Sequence, residues 1–489
     1  MTRTPTPSGE RPWRRALAWL AFLGPFFFAT YGLATYLSSQ RASVAAIVFD
    51  WERHIPFLGW TIVPYWTIDA LYAISLFVCA NRRELDTHAR RLLTAQLAAV
   101  ACFVAFPLRF TFERPPVGGS VGWLFDVLGR FDQPYNQAPS LHVALLVILW
   151  TLYAGKLDGA WRWALHAWFA AIAVSVLTTY QHHFIDVPTG ALLGFACLWA
   201  WPMRAPPLRW VITRDPRRRT LALRYAAGAL ACASVAVTAR GGALWLLWPA
   251  LSLALVALAY FALGVAVFQK HEGRLSGAAT ALLLPYLVGA WLNARSRTGR
   301  LRTSNTVADG VRIGPLPSRA SLRRDGIRSV VDLAAELPVD AREARYAAFP
   351  VLDLVAADGE TLTAAAHAIE RARAHGPVLV CCALGVSRSA SAVAAWLVAT
   401  GAHRTPRAQS RSCAAHGRAS CCMRRTTRRS TPHARSAERW RRSAGASLHA
   451  PSSPSRASSP ARVPCGRAVH RCRCSASTTA ITRATAISC

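Results

Sequence analysis

Residues 139–204, PSLHVALLVILWTLYAGKLDGAWRWALHAWFAAIAVSVLTTYQHHFIDVPTGALLGFACLWAWPMR, hold three apolar runs, roughly 140–155, 161–180 and 186–204. Each approaches the about 20 residues that a helix needs to cross a bilayer. Short polar joints, GKLDGA at 155–160 and TYQHHFIDV at 179–187, separate them. Working outward, comparable runs occur at 16–38, 57–80 and 92–112 before this stretch and at 222–239 and 243–268 after it. Eight spans predict an all-α polytopic membrane helical bundle. Composition agrees, since 53% of the residues are hydrophobic and 17% charged, against about 25% charged in globular domains. Arg14 and Arg15 before the first run resemble a signal-peptide n-region, but no small-residue cleavage site follows, so that run reads as a retained span.

The net charge of +33 would suit a nucleic-acid binder, but its distribution argues against one. Residues 404–489 carry 18 arginines and one acid, Glu438, and most of the remaining excess sits in short loops between apolar runs. Segments 1–15, 81–91, 155–163, 204–224 and 269–274 hold 19 lysines and arginines, and the alternate loops hold six. The richer set is cytoplasmic by the positive-inside rule, and the N-terminus with it. A ninth apolar segment, 276–293, is short, contains Pro285 and reads as an interfacial or re-entrant helix. If it spans instead, everything after it changes side. Of 13 cysteines seven lie in 404–489 and the rest form no legible disulfide framework.

From 303 to about 402 the texture is that of a soluble α/β domain. Short β-like runs (GVRIGPLP, SVVDLAA, FPVLDLV, PVLVCC) alternate with helical patterns (LTAAAHAIERARAHG, SASAVAAWLVATG). Beyond 403 the chain has too few large apolar residues for a core and reads as a disordered basic tail. Only Lys156 and Lys270 accompany 55 arginines, which suggests GC-rich coding, and the Arg, Ser, Ala, Pro, Cys and His of the tail suggest such DNA read out of frame. On that reading the α/β domain lacks its final covering helices.

Ionisable residues near spans call for a functional reading. The loop count places Arg109, Arg114, His142, His182, His183 and Asp186 at the non-cytoplasmic boundary. His182 and Asp186 are four apart, on one helical face, as an imidazole and an orienting carboxylate would be. The three histidines could suggest zinc, but no cysteine or carboxylate cluster completes tetrahedral ligation. Arg114-Pro115, Pro139-Ser140-x-His142 and Ser175 with His182-x3-Asp186 resemble the three motifs of the type-2 phosphatidic acid phosphatase superfamily of lipid phosphatases and phosphotransferases. Leu141 stands where the family has glycine, Val176 where it has arginine, and Arg109 lies closer to Arg114 than the family's lysine. A similarly relaxed third motif occurs in the sphingomyelin-synthase-like branch, which transfers a phospho-headgroup. The resemblance implies a six-span domain over 16–205, followed by two further spans and the ambiguous segment over 206–298. It also implies a metal-free mechanism: His182 as nucleophile, Asp186 orienting it, His142 protonating the leaving alkoxide, and Arg114 with Arg109 binding phosphate. His183 is close enough to Asp186 to compete on spacing alone; the motif selects His182.

In the second half, VLVCCALGVSRSA at 378–390 sets Cys382 and Arg388 in a C-x5-R-S arrangement between a β-like run and a helix. Loop N–H groups and a helix N-terminus there make a phosphate cradle that favours a thiolate. The segment resembles the dual-specificity branch of the cysteine phosphatases over about 100 residues, which implies a domain over 299–403. Cys382 would be nucleophile, Arg388 the phosphate clamp with Gly385 in the loop, Ser389 an aid to thiolate release and Asp353 the general acid; Asp358 falls later in that loop. Cys381 replaces the family's histidine. Next to Cys382, it would be placed to capture an oxidised sulfur.

Together the resemblances look like bacterial inner-membrane proteins that fuse the two domains, with the α/β cysteine-phosphatase domain cytoplasmic. They imply a bifunctional phosphatase of phosphorylated lipids, without cofactor, metal or nucleic acid, for which phosphoproteins are further possible substrates. The alternatives are a phospho-headgroup transferase and a degenerate membrane protein that binds lipid phosphates without turnover.

Overall fold

A computed structural model describes residues 11–130, 132–299, 304–308 and 310–401. The described residues are mostly helical, with one small sheet. Its first part comprises α1 (Trp13–Ser39), α2 (Ile62–Phe77), α3 (Arg82–Ala105), α4 (Gly119–Gly129), α5 (Leu141–Ala154), α6 (Gly159–Thr178), α7 (Asp186–Ala200), α8 (Pro216–Ala239), α9 (Leu247–Leu258) and α10 (Gly277–Thr298). Among the described residues five helical stretches are long and apolar enough to cross a membrane: α1, α6, α8, α10 and the run Gly241–Phe268 that contains α9. The apolar helices α5 and α7 are shorter.

Local chemistry sets several helix starts. Asn81 accepts the Glu84 N–H at 3.0 Å, Ser140 that of Val143 at 3.2 Å and Ser276 that of Ala279 at 3.0 Å; Asp215 caps α8 ahead of Pro216. Such side chains satisfy N–H groups that the helix itself leaves unpaired.

Three elements depart from the periodicity. The run expected at 92–112 is helical from Arg82 to Ala105, after which the chain extends across a loop that carries α4, a helix with no counterpart in the eight runs. The run at 243–268 is not one α-helix: a 3-10 turn precedes α9, a π-turn at Ala259–Leu263 follows it, and Gly264 then takes a left-handed φ of +62°. Segment 276–293 forms a helix straight through Pro285. Proline removes the hydrogen bond to the carbonyl four residues back, and that carbonyl, of Ala281, instead accepts the Trp248 indole N–H at 3.0 Å. The next N–H, of Tyr286, lies 3.3 Å from the Ser252 hydroxyl. These contacts hold α10 against α9 on both sides of Pro285.

The sheet has strands β1 (Asn305–Ala308), β2 (Val311–Pro315), β3 (Ser329–Ala334), β4 (Arg345–Val351) and β5 (Val378–Cys382), in the order β1-β2-β5-β3-β4. Only the β1–β2 pair is antiparallel. β3 and β5 are buried over their whole length, as strands covered on both faces should be. α12 (Gly359–Arg373) and α13 (Arg388–Thr400) pack over one face, around Val331, Val380, Cys382 and Trp396. The short α11 (Arg319–Arg324) and the chain near Val339 cover the other, around Val330, Leu379 and Cys381. The tail expected to be disordered, 404–489, lies outside the described residues.

The sheet region is tied to the helices by polar contacts and by a shared core. Lys270 donates to Asp332 at 2.5 Å, to the Ala334 carbonyl at 2.7 Å and to the Leu337 carbonyl at 2.6 Å. The Val339 N–H donates to the Gly273 carbonyl at 2.8 Å. Ala335 and Leu352 belong to the same buried cluster as Tyr260, Leu263 and Leu283.

Candidate functional site

Helices α5 and α7 approach closely because α7 presents Gly190 and Gly194 to α5. A Cβ on Gly190 would lie 2.4 Å from the Ser140 carbonyl oxygen, and one on Gly194 2.7 Å from that of Ala144. Small residues let helix backbones meet in this way. The result sets the Pro139–Ser140–His142 motif against the turn carrying His182 and Asp186, and the Ser140 N–H donates to the Asp186 carbonyl at 3.2 Å.

Both ring nitrogens of His182 are engaged within this pair of motifs. Nδ1 lies 3.2 Å from an Asp186 carboxylate oxygen and Nε2 3.1 Å from the Ser140 hydroxyl. The arrangement is satisfied when Nδ1 carries the proton and Nε2 accepts from Ser140, an assignment made from the hydrogen-bond network. His142 stacks on Tyr65 with ring centroids 4.1 Å apart. Its Nε2 is buried without a hydrogen-bond partner among the described residues, and His182 lies within electrostatic reach.

His183 is held differently. Its Nδ1 lies 2.9 Å from Glu52, and its Nε2 accepts the Thr111 backbone N–H at 3.2 Å. Glu52 also accepts N–H groups of Phe49 and Phe184. Burial pushes its carboxyl up, but the bonds from His183 and these backbone groups outweigh that and bring it below the usual range. Spacing leaves His182 and His183 as competitors, and in the structure both have their two ring nitrogens engaged, His182 by Asp186 and Ser140 and His183 by Glu52 and Thr111.

The predicted phosphate-binding arginines are on the intervening loop but are not equivalent. Arg114 lies over the Phe125 ring at 4.8 Å and within electrostatic reach of Asp132 and Tyr65. Arg109 has an exposed side chain, while its backbone N–H is fixed on the Ala45 carbonyl at 2.9 Å. Sequence reasoning missed Glu52 and Asp132. The latter accepts from Tyr31 at 2.6 Å and from Tyr65 at 3.3 Å, and burial holds its carboxyl above the usual range. No local motif marks either residue; each is one acid in a loop. Val176, in place of the family's arginine, is fully buried. Among the described residues no three His, Cys, Asp or Glu side chains form a group able to hold a metal.

In the sheet region Cys382 ends β5 and Arg388 begins α13. The Cys382 Sγ lies 3.3 Å from the Ser389 hydroxyl. Gly385 has φ +74°, and a Cβ there would lie 2.3 Å from the Gly314 carbonyl carbon, so the intervening loop requires glycine on both counts. Arg388 is buried and forms two bonds to Glu336, at 2.7 and 2.8 Å, another to the Val351 carbonyl at 2.8 Å and an ion pair with Asp353 at 3.1 Å. Burial disfavours its charge, but Glu336 more than compensates, so its pKa is raised. Glu336 carried no sequence signal. Asp358 caps α12, accepting the Thr361 N–H at 2.7 Å, whereas Asp353 meets the clamp. Cys381 points to the opposite face of the sheet from Cys382, and burial, with Asp332 nearby, pushes its thiol well up.

No family model, curated protein or solved structure matches this chain.

Proposed function

We propose that the chain is a membrane-embedded phosphatase with two phosphoryl-transfer sites, one among the helices and one at the sheet. The observation that carries this reading is the convergence of separate motifs on one histidine: His182 is engaged by Asp186 at one nitrogen and by Ser140 at the other. In the helical site His182 Nε2 attacks phosphorus, Asp186 stabilises the ring as it gains positive charge, and His142 protonates the departing alkoxide. Arg114 and Arg109 stabilise the equatorial oxygens. Water then resolves the phosphohistidine. An alcohol in place of water would make the same site a phospho-headgroup transferase, which the buried Val176 in place of an arginine clamp leaves open.

At the sheet Cys382 attacks phosphorus as thiolate, Arg388 clamps the phosphoryl oxygens and Asp353 protonates the leaving alcohol. The helical site's substrates are phosphorylated lipids and the sheet site's are phosphomonoesters. The setting is a bacterial inner membrane with the N-terminus cytoplasmic, and the sheet region shares that side because Lys270 and Gly273 of the basic loop 269–274 hold it. The test is phosphate release from a panel of lipid phosphates, in chelator, by purified protein carrying His182→Ala, Cys382→Ser or both. Each single variant should abolish one component and the double variant all release. His183→Ala should cost less than His182→Ala, and the reverse ranking moves the nucleophile by one residue. Activity untouched by either substitution rejects the proposal, and a phosphorylated alcohol product favours the transferase.

A further inference from the structure

The phosphatase reading leaves the cysteine site's substrate open between a lipid and a soluble phosphomonoester. The helices bear on that choice, because they form one side of the site. Tyr260, in the π-turn after α9, donates its hydroxyl to the Asp353 carbonyl at 3.0 Å. Its ring stacks on Tyr225 of α8 at 5.4 Å, and Tyr225 in turn meets Tyr286 of α10 at 5.9 Å. Asp353 and Glu336, the two carboxylates that hold Arg388, lie within electrostatic reach of all three tyrosines. Lys270 pins the carbonyls of Ala334 and Leu337, which flank Glu336. Leu354, next to Asp353, is 71% exposed and takes a φ of +57°, and Val386 in the phosphate loop is 42% exposed. Leu352 is buried in the helices' own core, and Val355 packs against it.

In-line displacement sets the leaving oxygen opposite the attacking sulfur, so the alcohol part of a substrate emerges on the side of the general acid. Here that side is the one Tyr260 holds. Resting on the phosphatase reading above, we infer that the Cys382 site takes a phosphomonoester on an apolar anchor, a phosphorylated lipid, and that Tyr260 is a positioning residue that sets Asp353 for the leaving alcohol. When the phosphoryl group binds, Arg388 exchanges Asp353 for the phosphoryl oxygens and Asp353 takes up a proton. In the first step the Cys382 thiolate then forms the S–P bond, the ester O–P bond breaks and the Asp353 proton passes to the alkoxide. In the second, water attacks phosphorus, the S–P bond breaks, Asp353 takes the water proton and the thiolate is restored, releasing inorganic phosphate.

The experiment uses the full chain carrying His182→Ala in chelator, so that only the cysteine site is read. Its substrates are dioleoyl phosphatidate in phosphatidylcholine mixed micelles, dibutanoyl phosphatidate in solution, a phosphoserine peptide and p-nitrophenyl phosphate. Cys382-dependent kcat/KM should be at least about tenfold higher for the long-chain than for the short-chain phosphatidate. Tyr260→Phe should lower kcat on both phosphatidates about tenfold at little cost in KM, yet spare p-nitrophenyl phosphate, whose leaving group departs without a proton. Asp353→Asn shows the size of that split without touching the helices. Equal use of short and long chains, or preference for the peptide, overturns the lipid assignment while the phosphatase reading stands. A uniform loss on all substrates in Tyr260→Phe overturns its positioning role. Should that variant fail to fold, the chain-length comparison still decides the substrate class. Absence of Cys382-dependent release from every substrate removes the phosphatase reading and this inference with it.

Discussion

Glu52 shows how one acid without a motif can anchor a candidate site. It gathers the His183 ring and the N–H groups of Phe49 and Phe184, thereby tying the first loop to the turn that carries His182. Its carboxyl is held below the usual range, so the stability it adds is present above the ordinary glutamate pKa and is lost as pH falls through the lowered folded value. Glu52→Gln should therefore cost about 1.5–3 kcal/mol near neutrality, as charge-assisted hydrogen bonds do. Thermal midpoints of wild type and variant in detergent should converge as pH falls through that lowered value, below the ordinary glutamate range; curves that stay parallel throughout would show that Glu52 carries no such linkage. Cys381 leads to the opposite expectation from adjacency alone. Its side chain lies on the far face of the sheet from Cys382, so Cys381→Ala should leave recovery by reductant after mild peroxide unchanged. A loss of recovery in that variant would restore the exchange that sequence proximity suggests.

At the scale of elements, the α5–α7 contact decides whether the helical site forms. Gly190 allows the Ser140 carbonyl to sit where a side chain would otherwise be. Gly190→Ala should cost about 1–3 kcal/mol by overpacking and should reduce His182-dependent turnover more than tenfold, since Ser140 would move away from His182. Gly289→Ala in α10 is the control: a Cβ there meets nothing within 4 Å, and alanine gains about 0.8–1 kcal/mol in a helix interior. Melting curves and turnover of the two variants check the pair, and equal behaviour would show that the α5–α7 approach is not critical. Ser140, Asp215 and Ser276 cap their helices from adjacent positions in the chain, although the apolar run placed the start of α8 at 222 rather than 216. The survival of α10 through Pro285 was not legible in the sequence, because its compensation comes from Trp248, 33 residues away.

At the scale of the molecule, the helices and the sheet share a buried ion pair. Lys270 and Asp332 are almost fully buried, and Tyr346 also donates to Asp332 at 2.8 Å. Removing one partner of such a pair leaves a buried charge and costs about 3–5 kcal/mol. Lys270→Met should lose that much, and adding Asp332→Asn should recover part of it, giving a clear coupling in a double-mutant cycle. Denaturant unfolding of the four proteins measures it; additive losses would mean that the contact does not join the two parts.

By itself the sequence determined where the apolar runs and β-like segments lie, and which motifs hold His142, His182, Asp186, Cys382 and Arg388. Those are matters of period, spacing and backbone chemistry within a few residues. Only the tertiary structure decided that His183 belongs to Glu52, 131 residues away, that Arg388 rests on Glu336, 52 residues away, and that Tyr260 reaches Asp353 across 93 residues. These partners sit on separate elements brought together by packing. Burial then makes their pairing obligatory, because an unpaired polar group costs far more inside the fold than in water.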